Sequence, residues 1–281
     1  MASTAFQTAY RNEYISVFEM KQSLLRSATT TEAVIKGSSA VFLVAGSGSA
    51  TAVTRGVNGL IPARNDDLNQ YTATLTEWHD LVQRTGYNLF ASQGDGRRIM
   101  QETSVGTVNR KIDADILDAL DDTTLDSGNT AAALTLSKVM HAWAILGNND
   151  VPVDEEDNMF FVYSPAAHAY LMQTKEFASA DYVDVKPFAS GMARRYRRWA
   201  GFNWILHPNV EGAGTSAEKL FAFHRNAIGH AMNSGDMAIA AGYDDEQDYS
   251  YARASIYMGS KLLQNSGIVR VNHDGSAYAA T

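Results

Sequence analysis

From Lys36 to about Asn88 the helical spacing of apolar residues stops, and no cluster of large apolar side chains takes its place. Ala40 to Ala45 is a strand-like run and Gly46-Ser47-Gly48-Ser49 reads as a turn. A second break runs from Gly56-Val57-Asn58-Gly59 through Asn65-Asp66-Asp67, and Thr72, Thr74 and Thr76 then alternate as in a strand with one polar face. A lone two-stranded ribbon is at best marginal in water. The stretch therefore predicts a long projecting hairpin, stabilised by what it lies upon, and such arms serve as contact devices.

The rest of the chain must supply the core. With 281 residues, 45% of them hydrophobic, it can bury one sizeable core or two modest ones. A formal net charge of -8 excludes a nucleic-acid binder that works through a basic surface, where Lys and Arg neutralise phosphates. Such a chain can enclose DNA without gripping it. There is no cysteine, which excludes disulfides and thiolate metal sites and fits synthesis in a reducing cytoplasm. Met1 to Tyr10 lacks a basic region followed by an apolar stretch, and no run of about 18 apolar residues occurs. Neither export nor a membrane helix is expected.

Ahead of the hairpin, Phe6, Tyr10, Tyr14, Val17, Phe18, Leu24 and Leu25 recur at spacings of three, four and seven, which predicts an amphipathic helix. Its stripe either docks on the chain's own core or reaches a neighbouring subunit as an arm. After Ser92-Gln93-Gly94-Asp95-Gly96, the residues Val105, Val108, Ile112, Ile116 and Leu120 form a stripe opposite Arg98, Glu102, Arg110 and Asp118, so a long helix is expected to end near Asp121-Asp122. Two carboxylates there oppose the helix macrodipole, which requires an earlier stop or a basic neighbour. A second helix is expected from Thr130 to Gly147, with Leu136, Met140 and Trp143 on one face, and then an acidic loop from Asp150 to Asn158.

Met159-Phe160-Phe161-Val162-Tyr163 reads as a buried strand. Ser164-Pro165 then opens a helix carrying Tyr170 and Leu171, since serine accepts from the first free amides and proline has none to leave unpaired. Trp199 to Leu206 and Leu220 to Phe223 read as strands, and Tyr249 to Val271 holds two strand patterns around Gly259 and Gly267. The class is α+β, without a fixed-period repeat or a low-complexity linker.

Catalytic and metal signatures are missing. None of the seven histidines belongs to an HExxH or forms an i, i+4 pair. His79-Asp80 and His273-Asp274 are adjacent pairs, which point to opposite faces of a strand, so the histidines read as solvated or core-edge. Gly94-Asp95-Gly96 has Ile99 where a dinucleotide fingerprint has glycine. Asp154-Glu155-Glu156-Asp157 and Asp244-Asp245-Glu246 lack the spaced ligands of a calcium loop and read as solvated. Four arginines around an aromatic, Arg194-Arg195-Tyr196-Arg197-Arg198, could hold phosphates or bases, or make an intersubunit face that pairs with acidic loops. The second is the expectation here.

The order of these pieces, arm, hairpin, long helix, α/β middle and closing strands, resembles the tailed-phage major capsid proteins of the Hong Kong 97-type fold, shared with herpesvirus capsids and encapsulin shells. Gly37 to Phe42 leading to Thr54-Arg55-Gly56 looks like the rising strand of that family's extended loop, and Asn109 to Leu117 like the end of its spine helix. Leu220 to Ile228, and Tyr257 to Leu263 through Gly267-Ile268-Val269, look like its closing segments. The resemblance implies an N-arm (1–31), an extended β-hairpin loop (32–88), a discontinuous peripheral domain with the spine helix (89–124 and 235–281) and an axial domain (125–234). It implies self-assembly as pentamers and hexamers into an icosahedral shell around double-stranded DNA, the extended loop lying over a neighbour, with the virion as final location and the bacterial host cytoplasm as place of synthesis.

On that reading the assembly residues are Phe6, Tyr10, Tyr14, Phe18 and Leu25 of the arm, Arg55, Asn58, Gly59, Leu60, Ile61 and Arg64 at the hairpin tip, and Arg194, Arg195, Arg197 and Arg198. Met1 lies just before the arm, where some members carry a cleaved scaffolding region, so a separate scaffolding protein is expected, with a portal and a decoration protein as further partners. The stretch from Gly37 to Asn88 holds no lysine, so the loop-lysine crosslink of other members is not expected. An encapsulin-like shell around cargo protein is the alternative on the same fold. An enzyme using His168, His224 or Asp181 of the axial region is the alternative from another class. With no convergent set of side chains, no catalytic residue, cofactor or metal ligand is assigned.

Overall fold

The computed structural model describes residues 22–34, 36–47, 50–64, 67–91, 96–128, 132–173, 197–233 and 238–278. The chain runs through β1 (Thr30–Val34), β2 (Ser39–Gly46), β3 (Asp67–Thr74) and β4 (Thr76–Thr85), then helices α1 (Gly86–Ala91), α2 (Gly96–Asp121) and α3 (Leu136–Asn148). There follow β5 (Met159–Tyr163), α4 (Pro165–Gln173), β6 (Arg197–Trp199), β7 (Phe202–Leu206), β8 (Glu218–His224), β9 (Ile228–Asn233), β10 (Ala238–Asp244), β11 (Tyr249–Leu262) and β12 (Ile268–His273). No described helix is long and apolar enough to cross a membrane.

Among the described residues three sheets result. One has the order β1-β9-β11-β10, with β4 on the other edge of β11; the second runs β12-β8-β5-β7-β6; the third is the hairpin β2-β3. The spine helix α2 packs on β11. Its Val108, Ile112, Ile116 and Leu120 are buried and Val105 half-buried, while Arg98 and Asp118 are exposed, so the expected stripe is the one that packs. All of β5 is buried, as an apolar run between β8 and β7 must be. Phe161 stacks on Trp204 with ring centroids 4.3 Å apart. One continuous buried cluster joins α2, α3, β5, β8, β11 and β12, so the two large sheets share a core.

The end of α2 answers the macrodipole problem with basic neighbours. Asp121 accepts from Lys219 Nζ at 2.7 Å and from an Arg270 guanidinium nitrogen at 3.3 Å. The hydrogen bonds to Asp121 and then Glu211 raise the pKa of the Lys219 ammonium. Ser164 caps α4 as its sequence predicts: its hydroxyl accepts the Ala167 amide at 3.0 Å and donates to the buried Glu218 carboxylate at 2.6 Å.

Several boundaries differ from the sequence reading. The helix expected from Thr130 begins at Leu136, and its packed side is Val139, Ala142 and Leu146, while Met140 is 42% exposed. The small Ala142 gives the packed face away least. The strand expected over Trp199 to Leu206 is the hairpin β6-β7, turning at Ala200 and Gly201 with φ of 52° and 78°. Leu24 and Leu25 lie in bends before a short 3-10 turn, Arg26–Ala28, and are not helical. The hairpin itself pairs from Ser39↔Thr74 to Gly46↔Asp67. Thr76 continues into β4, which pairs along its whole length with β11, and β1 pairs with β9. The expected loop range, 32–88, thus begins on β1 of the main sheet and, beyond the hairpin, takes in all of β4 before ending in α1.

Candidate assembly interface

Alternation along β2 turns Ala40 and Phe42 inward and Val41 and Leu43 outward. With Ala73, Ala231 and Leu263 the inward pair forms a small second cluster that seats the hairpin root on the body. Two glycines allow the close approach. A Cβ on Gly229 would lie 2.9 Å from the Phe42 ring, and one on Gly259 would lie 2.1 Å from the Thr74 carbonyl oxygen. The root is therefore anchored to its own subunit, and the rest projects.

What projects is apolar. Val41 and Leu43 share the outward face of the ribbon with Leu68, which pairs opposite Ala45. Beyond the strands, Gly56 and Leu60 close a turn in which the Gly59 amide donates to the Gly56 carbonyl at 2.9 Å and the Gly56 amide to the Leu60 carbonyl at 3.0 Å. Gly59 takes a φ of 70°, open to glycine without strain. Leu60 is 73% exposed and Ile61 68%, and Val53 and Val57 are exposed beside them. Arg55, Asn58, Gly59 and Arg64 are exposed as well. Burying a large aliphatic side chain is worth about 1.5–3 kcal/mol, so a tip bearing several gains much from a partner surface.

The other expected contact residues are distributed differently. Leu25 is wholly buried in the subunit's own core and offers no surface to a neighbour: it anchors the start of the described chain. Arg198 pairs with Asp157 of the acidic loop in the same chain, and its Nε donates to Asn203 at 3.1 Å, so the expected acidic partner is intramolecular. Arg197 is on β6, opposite Trp204. Phe6, Tyr10, Tyr14, Phe18, Arg194 and Arg195 lie outside the described residues, as does Asp181.

Among the described residues, His168 and His224 are not brought together. His168 meets the Tyr163 hydroxyl at 3.4 Å, and His224 accepts the Asn226 amide at 3.2 Å. Among the described residues no three His, Asp or Glu side chains are placed to hold a metal. Four histidines expected at the surface or core edge, His207, His224, His230 and His273, are buried. Sequence reasoning also missed Asp113, buried on α2 against residues 23–25 and His207. Its signal was present: Asp113 stands three and four residues before Ile116 and Leu117, in register with the apolar stripe.

An anchored apolar hairpin, a spine helix on a mixed sheet and a second sheet around one core define a shell-forming fold of the Hong Kong 97 type. Solved structures agree in fold. A chain of Mycobacterium phage Che8 superposes with a TM-score of 0.71 at 15% identity, covering 97% of this chain and 98% of that one. The capsid of cyanophage P-SCSP1u gives 0.71 at 14% identity, with 96% and 93% covered, and the capsid of a native GTA particle gives 0.70 at 14%, with 97% of each. No curated protein matches the sequence. Residues 2–275 match the phage capsid protein family, and the chain belongs to it. It is a structural subunit of a phage capsid, and self-assembly is its function.

Proposed function

We propose that this chain is the repeating subunit of an icosahedral shell, arranged in pentamers and hexamers around double-stranded DNA, and that its hairpin lies over a neighbouring subunit. The observation that carries the reading is the hairpin: anchored at its root by a sealed cluster, it presents Val41, Leu43, Leu60, Ile61 and Leu68 to solvent. A subunit that worked alone would have no use for such a surface. Arg55 and Arg64, exposed at the tip of an acidic subunit, suit a negatively charged neighbour. In this proposal the chain divides into an N-arm (1–31), the extended loop, a peripheral domain (89–124 and 235–281) and an axial domain (125–234). A separate scaffolding protein, a portal and a decoration protein complete the partners, and the subunit is made in the host cytoplasm. The DNA is enclosed without sequence-specific contacts.

The test is to express the chain alone and with the candidate scaffold from its own genome, separate the products by size and image the largest fraction by electron microscopy. Closed particles, or rings of five and six, are the expected result. A stable monomer under all conditions overturns the proposal, and particles that hold protein in place of nucleic acid move it to an encapsulin-like compartment.

A further inference from the structure

Asp113 is 1% exposed, in the middle of the spine helix. Its Oδ1 accepts from the Ser23 hydroxyl at 2.6 Å and the Leu25 amide at 3.2 Å, and its Oδ2 from the Leu24 amide at 3.1 Å. His207, 2% exposed, brings Nε2 to 3.2 Å from Oδ2. The His207 Nδ1 already accepts the Asn209 amide at 3.2 Å, so the ring proton sits on Nε2 and donates to Asp113. The Ser23 oxygen accepts in turn from the Arg26 amide at 3.4 Å, at the start of the 3-10 turn.

A carboxylate held out of water is strongly disfavoured unless donors surround it. Here most of the donors come from one short segment, Ser23 to Leu25. Two successive backbone amides bound to the two oxygens of one carboxylate fix more than a position. They fix the path of the chain, because backbone N–H directions cannot change without turning the backbone. Leu25 alone would set the depth of this segment but not its heading, since apolar contact is non-directional.

We propose that Asp113, oriented by His207, is the positioning residue of the N-arm: it sets the direction in which the segment before Gln22 leaves the body, and through it the geometry of the contact between subunits. The inference rests on the reading of that segment as an intersubunit arm. The sequence places the clamp on the element best suited to it, because α2 is the long rigid body to which both the sheet and the arm refer.

Three full-length variants test it. Ser23→Ala removes one arm-side donor and leaves the Asp113–His207 pair intact. Asp113→Asn keeps the shape but turns an acceptor into a donor facing an amide. Val139→Ala, on the packed face of α3, controls for general loss of stability. The first two are expected to speed hydrogen exchange at the Leu24 and Leu25 amides on the order of ten- to a hundred-fold. They should also turn closed particles into open or mis-sized ones, while Val139→Ala, matched for thermal midpoint, leaves particle size unchanged. Normal particles from both clamp variants, unaltered exchange at the two amides, or equal damage from Val139→Ala would each overturn the inference. If Asp113→Asn fails to fold, Ser23→Ala decides alone. Absence of particles from the unaltered chain would instead overturn the shell reading, and this inference with it.

Discussion

His273, fully buried on β12, accepts the Leu134 amide on Nδ1 at 3.0 Å, with Tyr170 edge-on to its ring and Glu218 Oε2 at 3.7 Å from Nε2. Burial lowers its pKa first of all; Glu218 and Asp274 pull it back up, and Lys138 pushes it further down. His224 holds the Asn226 amide in the same way, and burial lowers its pKa against the opposing pull of Glu155. A proton on either Nδ1 would cost the ring its role as acceptor. Because both folded-state values lie below the ordinary histidine value of 6.5, the unfolded chain takes up protons first as the pH falls. The stability tied to these rings is intact above that value and is lost as the pH falls from there through the folded-state values. Calorimetry of the subunit should show the melting temperature dropping below about pH 6.5, with a shallower drop for a His224→Gln/His273→Gln variant. An identical slope in the variant would assign the acid response to carboxylates. Adjacent-residue geometry does separate His273 from Asp274, but nothing in the sequence tells a buried ring from a solvated one, because the partner that matters is a backbone amide more than a hundred positions away.

At the scale of elements, the hairpin divides into a root packed on its own subunit and, in the proposed assembly, a tip that meets another. Replacing Leu60 and Ile61 with serine should change subunit stability by about 0.5 kcal/mol or less, as for other exposed positions. Assembled particles should lose about 1.5–3 kcal/mol for each of these side chains that a neighbour covers. Urea titrations of subunit and particle separate the two, and equal losses would argue against a contact role. At the root, Gly259→Ala must push its new methyl against the Thr74 carbonyl, a backbone atom with no freedom to swing away. Subunit stability should fall by about 1–3 kcal/mol, read by the same titration. The ribbon was legible because its two-residue period is local. The assignment of β4 was not, since an alternating, half-buried strand reads alike whether it pairs with the ribbon or with β11 far along the chain. Similarly, the turn between β6 and β7 carries only half its signal: Gly201 stands there at positive φ, but Ala200, also at positive φ, is not the asparagine or aspartate that usually precedes it. The spine helix was the clearest element, because its stripe repeats over many turns and its acidic end found the bases it required.

For the whole molecule, the question is how a shell of such subunits holds together. Each carries a formal charge of -8, so neighbours repel at long range, and attraction must come from short-range contacts, which the proposal places on the hairpin and the arm. A contact repeated over every subunit of a closed particle needs little strength on its own, since the remaining contacts keep each partner at high effective concentration. A crosslink through a lysine of the projecting hairpin is closed to this chain. From Gly37 to Asn88 there is no lysine, so that stretch has no side-chain amine to form an amide bond with a neighbour. Mature particles denatured in detergent should therefore run as a single monomer band. In urea or guanidinium they should come apart without a protease. A ladder of multimers would show a covalent link after all, and mass spectrometry of its rungs would then be directed to the lysines that flank the hairpin, Lys36 foremost, because it stands nearest to the strand that projects.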